Sequence, residues 1–236
     1  MTTKSILREL FSSNDSVKKK FQAEYGALLS QFAQGYLCAF DELKSFKRDK
    51  NDPRHASIEM FLLAAFNSIL ISTKLLILGL LVPAGNLMRH FAEAIAIAIL
   101  CSSKHLDIHD RVRKESKTFP YHDALKILSK PNTVKLLQLD SKGVEQNKNV
   151  NKLYDKYSHA SVFSLSSFYD FGKSNKPTLG VFFDEGKRFA YEKELKGRLS
   201  ACILLQNAIE ISREIVQRET KHSRLRSLRP NPERGS

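Results

Sequence analysis

Residues 58–103 read IEMFLLAAFNSILISTKLLILGLLVPAGNLMRHFAEAIAIAILCSS, and the fold turns on this stretch. It holds only four charges, Glu59, Lys74, Arg89 and Glu93. The charge-free piece 60–73 is 14 residues long and contains Asn67, Ser68, Ser72 and Thr73. A spanning helix needs about 20 predominantly apolar residues. The next piece, 75–88, is interrupted by Gly79, Pro83 and Gly85. Two core helices therefore explain the stretch better than a membrane hairpin. The first opens at Asp52-Pro53, with proline in its tolerated first-turn place, and its apolar faces mark it as central. The spacing predicts that it runs through Leu81, that 83–86 make the turn, and that a third helix covers about 87–104. The run Ala94-Ile-Ala-Ile-Ala-Ile99 alternates as a strand does, but its alanines and helical flanks favour helix.

Upstream, Val17, Phe21, Tyr25, Leu28, Phe32, Tyr36, Phe40 and Leu43 recur every three or four residues. They predict one amphipathic helix from Asp15 to about Lys50, with capping side chains at 13–15. Downstream the chain is more polar. Residues 105–120 read as loop or short turn, 121–129 and 133–139 as short helices, 140–149 as loop and 150–159 as helix. Two runs rich in Phe, Val, Tyr and Ser, 161–171 and 178–183, flank the Gly/Pro/Asn segment 172–177. They read either as a β-hairpin or as a helical continuation followed by a loop. A last long helix covers about 186–226, and Pro230 and Pro232 close off a basic tail, 230–236, expected to be disordered. The expectation is an all-α chain: a single up-and-down helical bundle of four to five helices over 1–229, with a small, partly extended excursion near 160–185.

Composition narrows the function classes. The chain has 236 residues, 42% hydrophobic and 27% charged, as in a globular protein. Against 25 acidic side chains stand 38 Lys and Arg, a net charge of +13, so an acidic partner is expected. The excess is uneven: +3 over 1–57, zero over 58–103, +5 over 104–156, −1 over 157–185 and +6 over 186–236. Cys38, Cys101 and Cys202, far apart in apolar helical stretches, exclude a disulfide framework and a zinc finger. They read as buried, reduced thiols, hence a cytoplasmic protein. Residues 1–16 show no secretory signal pattern.

Several groups carry potential chemistry. Arg89 and Glu93 lie four apart on one helix face, in ion-pair reach. They are either a register-fixing or solvent-edge pair, or an arginine that lines a site and is held by Glu93. In Leu153-Tyr-Asp-Lys-Tyr-Ser-His-Ala-Ser161, His159 is a candidate general acid or base, with Asp155 one turn away to orient it. A structural histidine at a helix end is the alternative. His105-Leu-Asp-Ile-His-Asp110 has metal-type side chains, but alternating ligands need an extended chain and no second cluster joins them, so no metal is expected. With no phosphate loop or dinucleotide fingerprint, no cofactor is expected either. Arg218, Lys221, Arg224 and Arg226 would form a basic ridge for phosphates if the last helix continues, or else a solvated helix end.

Taken in order, the apolar helix, the Gly/Pro turn, Arg89-x-x-x-Glu93, Leu-Tyr-x-x-Tyr-Ser-His159-x-Ser and the aromatic excursion to Phe182-Phe-Asp-Glu185 resemble a bacterial branch of the HEPN-like helical bundles, the higher-eukaryote and prokaryote nucleotide-binding superfamily. The resemblance covers about 55–215. It implies a four- or five-helix bundle, often dimeric. Many members are RNases of toxin–antitoxin, abortive-infection or other antiviral systems, and others are inactive binding modules. The matching positions make Arg89, Glu93, Tyr157, Ser158 and His159 the candidate catalytic residues. Active members place an Arg four to six residues before the His on one helix. Here no Arg stands there: Lys152, seven residues before His159, is only near that position, and Arg89 lies on another helix, which weighs against metal-independent RNase chemistry. The partners implied are nucleic acid, RNA ahead of DNA, a second copy of the chain, or a protein bound by a non-catalytic module.

Overall fold

A computed structural model describes residues 2, 4, 7, 11–46, 49, 51–114, 123–158, 162–172, 176–178 and 180–227, leaving aside the side chains at 158, 162–163 and 222–227. The chain is mostly helical, with one tiny sheet among the described residues, as the all-α reading expects. Helix α1 is Asp15–Lys44, shorter than expected, and buries Val17, Phe21, Tyr25, Phe32, Ala39 and Leu43. It bends at Tyr25, whose hydroxyl donates to the Arg188 carbonyl at 3.1 Å.

Helices α2 (Pro53–Leu76) and α3 (Leu81–Cys101) are long and apolar enough to cross a membrane by length and composition alone. Asp52 caps α2, accepting from the Arg54 amide at 3.1 Å, with Pro53 at the first position as expected. The predicted turn at 83–86 is displaced. The chain reverses at Gly79, whose φ is +77°. The Gly79 amide donates to Leu76 O at 2.8 Å and the Leu80 amide to Leu75 O at 3.0 Å, the paired bonds of a Schellman ending. A Cβ at Gly79 would lie 2.0 Å from the Phe182 carbonyl oxygen. Pro83 is instead inside the first turn of α3, where its missing N–H has no helical partner to lose. Gly85 serves close approach: a Cβ there would meet the Tyr157 ring at 2.5–2.9 Å.

The centre also moves. In α3, 14 residues are buried, including the whole run from Ala94 to Cys101. Helix α2 covers it with one face and leaves Met60, Leu63, Leu70 and Ile71 outside. The expectation that α2 is the central helix is thus corrected to α3, which touches α2 most extensively and also meets the later helices.

Within 105–120 the described residues include a short helix, α4 (Ile108–Lys114). Helices α5 (Ala124–Leu128) and α6 (Pro131–Leu137) follow, close to expectation. The loop expected over 140–149 is helical: α7 is Ser141–Ser158, started by Asp140, whose carboxylate accepts from the amides of Lys142 and Gly143 at 3.2 and 3.1 Å. Its buried stripe includes Asn147, and an amide in that stripe hides the helical period from a hydrophobicity reading.

The 160–185 excursion combines both readings. Helix α8 (Val162–Ser166) is followed by β1 (Tyr169–Asp170), antiparallel to β2 (Lys176–Pro177). Buried Asp184 holds this segment, accepting from the amides of Phe171, Gly172 and Gly186 at 2.9 Å each and pairing with buried Lys187 at 3.1 Å. Burial pushes the Asp184 pKa up, but those amides and Lys187 outweigh it and hold it below the ordinary value. Helix α9 (Arg188–Ser227) then runs against α1, α2 and α3. Cys101 and Cys202 are buried as expected, whereas Cys38 is exposed, because it lies off the buried stripe of α1.

Candidate functional site

Arg89 and Glu93 meet as their spacing predicts, Nε to Oε1 at 3.1 Å. Arg89 also reaches across to α7, where its second nitrogen pairs with Asp155 at 3.0 Å. The guanidinium, 28% exposed, is therefore committed to two carboxylates and ties α3 to α7. Asp155 serves this strut. Tyr157, the third candidate, turns inward: its ring lies on Gly85 and its hydroxyl donates to Glu194 Oε1 at 2.9 Å. The Ser158 side chain and His159 lie outside the described residues, as do the side chains of Arg224 and Arg226.

The Tyr157 contact opens a buried polar network that the sequence reading did not single out. Tyr154 donates to Glu194 Oε2 at 2.9 Å. Arg198, with no exposure at all, donates to Glu194 Oε2 and to the Glu194 carbonyl, both at 2.8 Å, and to Ser72 Oγ at 2.7 Å. Ser72 passes its own proton to Ala84 O at 2.7 Å. One carboxylate thus joins α2, α3, α7 and α9. Burial, reinforced by the Glu194 charge, pushes both tyrosine pKa values well above the ordinary phenol range. These phenols are donors at neutral pH, and the network's chemistry is structural. A signal existed in α9: Tyr191, Arg198, Leu205 and Ser212 recur every seven residues, and all are fully buried. Reading Arg198 as part of the core stripe, with Glu194 four residues before it, would have found the pair.

A second charged cluster joins the start of α2 to the end of α9. Arg54 is 4% exposed and binds Asp52 through Nε and Nη2, at 3.0 and 2.6 Å. Its other nitrogen binds Ser102 O at 2.7 Å and Glu219 at 2.8 Å. Glu219 also accepts from Ser103 Oγ and the Lys104 amide. Burial works against the charged forms, yet Asp52 is held below its ordinary pKa by Arg54, and Arg54 above its own by Asp52 and Glu219. A cleft of about 410 Å³ opens beside them, lined among others by Lys104, Asp107 and His109. The two histidines of the 105–110 motif diverge: His109 Nδ1 meets Ser57 Oγ at 3.0 Å, and His105 lies 4.0 Å from Glu219.

On the expected basic ridge, Arg218 binds the Leu137 carbonyl at 2.9 Å and the Gln138 side chain. It closes the C-terminal end of α6, where a cation is favoured. Lys221 is exposed. Compared with protein-family models, with curated proteins and with solved structures, the chain matches none.

Proposed function

We propose that this chain is a HEPN-like, up-and-down bundle of four to five helices that binds nucleic acid, RNA ahead of DNA, on its outer surface. The setting is the one the resemblance implies, bacterial antiviral defence or a toxin system in the cytoplasm. One observation carries the reading. The buried cations are each matched by carboxylates inside: Arg54 by Asp52 and Glu219, Lys187 by Asp184, and Arg198 by Glu194. Among the described residues the interior is close to neutral, so the chain's net +13 is not stored there and is available to attract a polyanion.

Binding without chemistry is favoured over catalysis, because Arg89 is engaged by Glu93 and Asp155 and Tyr157 by Glu194. The test is fluorescence anisotropy of a labelled single-stranded RNA and the matching DNA across a salt series. We expect log affinity to fall with log salt at about −0.7 per phosphate contacted. An affinity indifferent to ionic strength overturns the proposal. Metal-free RNA cleavage that disappears in His159→Ala and Arg89→Ala would restore the RNase reading. If no nucleic acid binds even at low salt, the chain is better read as a protein-interaction module. The outward stripe Met60, Leu63, Leu70 and Ile71 would then be its contact, and it supports a homodimer measurable by sedimentation.

A further inference from the structure

Helix α2 presents to solvent a face that its own bundle leaves uncovered. Its exposed positions are Met60, Leu63, Asn67, Leu70, Ile71 and Lys74, with half-buried Ala64 between them. Met60, Asn67 and Lys74 recur every seven residues and run down the middle of that face, about 21 Å from end to end. Leu63 and Leu70 flank this line on one side, Ala64 and Ile71 on the other. Counted from Asn67, apolar side chains stand three and four residues away in both directions, and Met60 and Lys74 stand seven away. The face thus reads alike from either end.

Such a face fits a second copy of itself, because a twofold interface brings the same patch of both chains together. With two α2 helices antiparallel and the axis between the two Asn67 side chains, Leu63 meets Ile71 of the second copy and Ala64 meets its Leu70. The small Ala64 side chain lets the backbones approach. Lys74 lays its stem on Met60 of the second copy and carries its ammonium toward Glu59, a half-buried carboxylate beside that methionine. A parallel pair would instead set Lys74 against Lys74. Charge therefore selects the antiparallel pair.

Asn67 sets the register. Across the axis each carboxamide donates its NH₂ to the oxygen of the other, and a single polar residue in an apolar seam fixes alignment in this way. The same amide argues against lipid as the cover, since hydrocarbon would leave it unpaired at the centre of the face.

We propose that α2 is the dimerisation helix of this chain, packed antiparallel on α2 of a second copy with the axis at Asn67. The assignment rests on the homodimer that the outward stripe supports, adds its direction and register, and is independent of nucleic-acid binding.

Sedimentation of the full chain across a concentration series reads the pairing, and thiol cross-linking in a Cys38→Ser background reads the direction. We expect a reversible dimer, weakened at least about tenfold by Leu70→Glu. Leu70 is 44% exposed in the single chain, so the thermal midpoint of the dilute, monomeric variant should match that of the dilute wild type. Lys74→Glu should weaken pairing at low salt, and adding Glu59→Lys should recover it. A short thiol cross-linker should join Asn67→Cys chains to one another. It should also join Met60→Cys chains to Lys74→Cys chains when the two are mixed, but neither of these to itself. A wild type still monomeric at millimolar concentration overturns both the homodimer and its geometry, and a monomer that floats with phosphatidylcholine vesicles overturns them in favour of a membrane. A dimer that is indifferent to Leu70→Glu, or in which Met60→Cys links to itself, keeps the homodimer and overturns the antiparallel α2 assignment.

Discussion

Glu194 is the most exposed test of the structural reading, because three donors from two helices converge on its one carboxylate. Glu194→Ala leaves the fully buried Arg198 guanidinium without its counter-charge. Breaking a buried pair from one side costs about 3–5 kcal/mol. Tyr154 and Tyr157 also lose a charged acceptor, and such bonds contribute about 1.5–3 kcal/mol each. The terms share a carboxylate and do not add, so we expect a total near 5 kcal/mol, roughly all the stability of a marginal domain. A cycle keeps the measurement in range. Tyr157→Phe preserves the ring against Gly85 and removes one donor, and should cost about 2 kcal/mol. In a Glu194→Gln background the same change should cost at least about 1 kcal/mol less, since the acceptor has lost its charge. Urea unfolding followed by far-UV circular dichroism at neutral pH reads Glu194→Ala and the four proteins of the cycle. Strict additivity, or a Glu194→Ala protein as stable as wild type, would refute a shared buried carboxylate.

Other expectations follow from the same geometry. Gly85→Ala drives a methyl into the Tyr157 ring and should lower the thermal midpoint, because overpacking costs about 1–3 kcal/mol and the helix gain from losing glycine is at most about 1 kcal/mol; a rise in midpoint contradicts the close approach. Asp184 is held below its ordinary pKa, so its contribution is fully present above the unfolded value of about 3.9 and is lost as pH falls through the folded value. The stability gap between wild type and Asp184→Asn should accordingly be full at neutral pH and close in acid, and a gap that stays constant across that range rejects the role. Burial pushes the thiols of Cys101 and Cys202 up to about 12, and Cys38 is exposed. A disulfide reagent on the native protein should find one fast thiol, eliminated by Cys38→Ser; two fast thiols would contradict the burial of Cys101 and Cys202.

The sequence by itself determined the helical class and the start of the second helix. Asp52-Pro53 is a local signal, decided by one side chain and one ring, and it folded as read. The Arg89–Glu93 pair was legible for the same reason, since four residues along a helix fix the contact. Tertiary structure decided the rest. Gly79 rather than 83–86 makes the turn through its positive φ and Schellman bonds, and the Phe182 backbone, about a hundred residues distant, leaves no room for a Cβ there, a contact that no local pattern records. The first half of helix α7, expected as loop, was hidden because its buried stripe contains Asn147, whose partner Ala92 belongs to another helix, whereas 150–158 was read as helix. Arg198 and Glu194 look like surface charges until Ser72, Tyr154 and Tyr157 are brought around them. Burial of a charge is set by what surrounds it, so propensity and periodicity along one chain segment carry the helices but not the polar network that joins them.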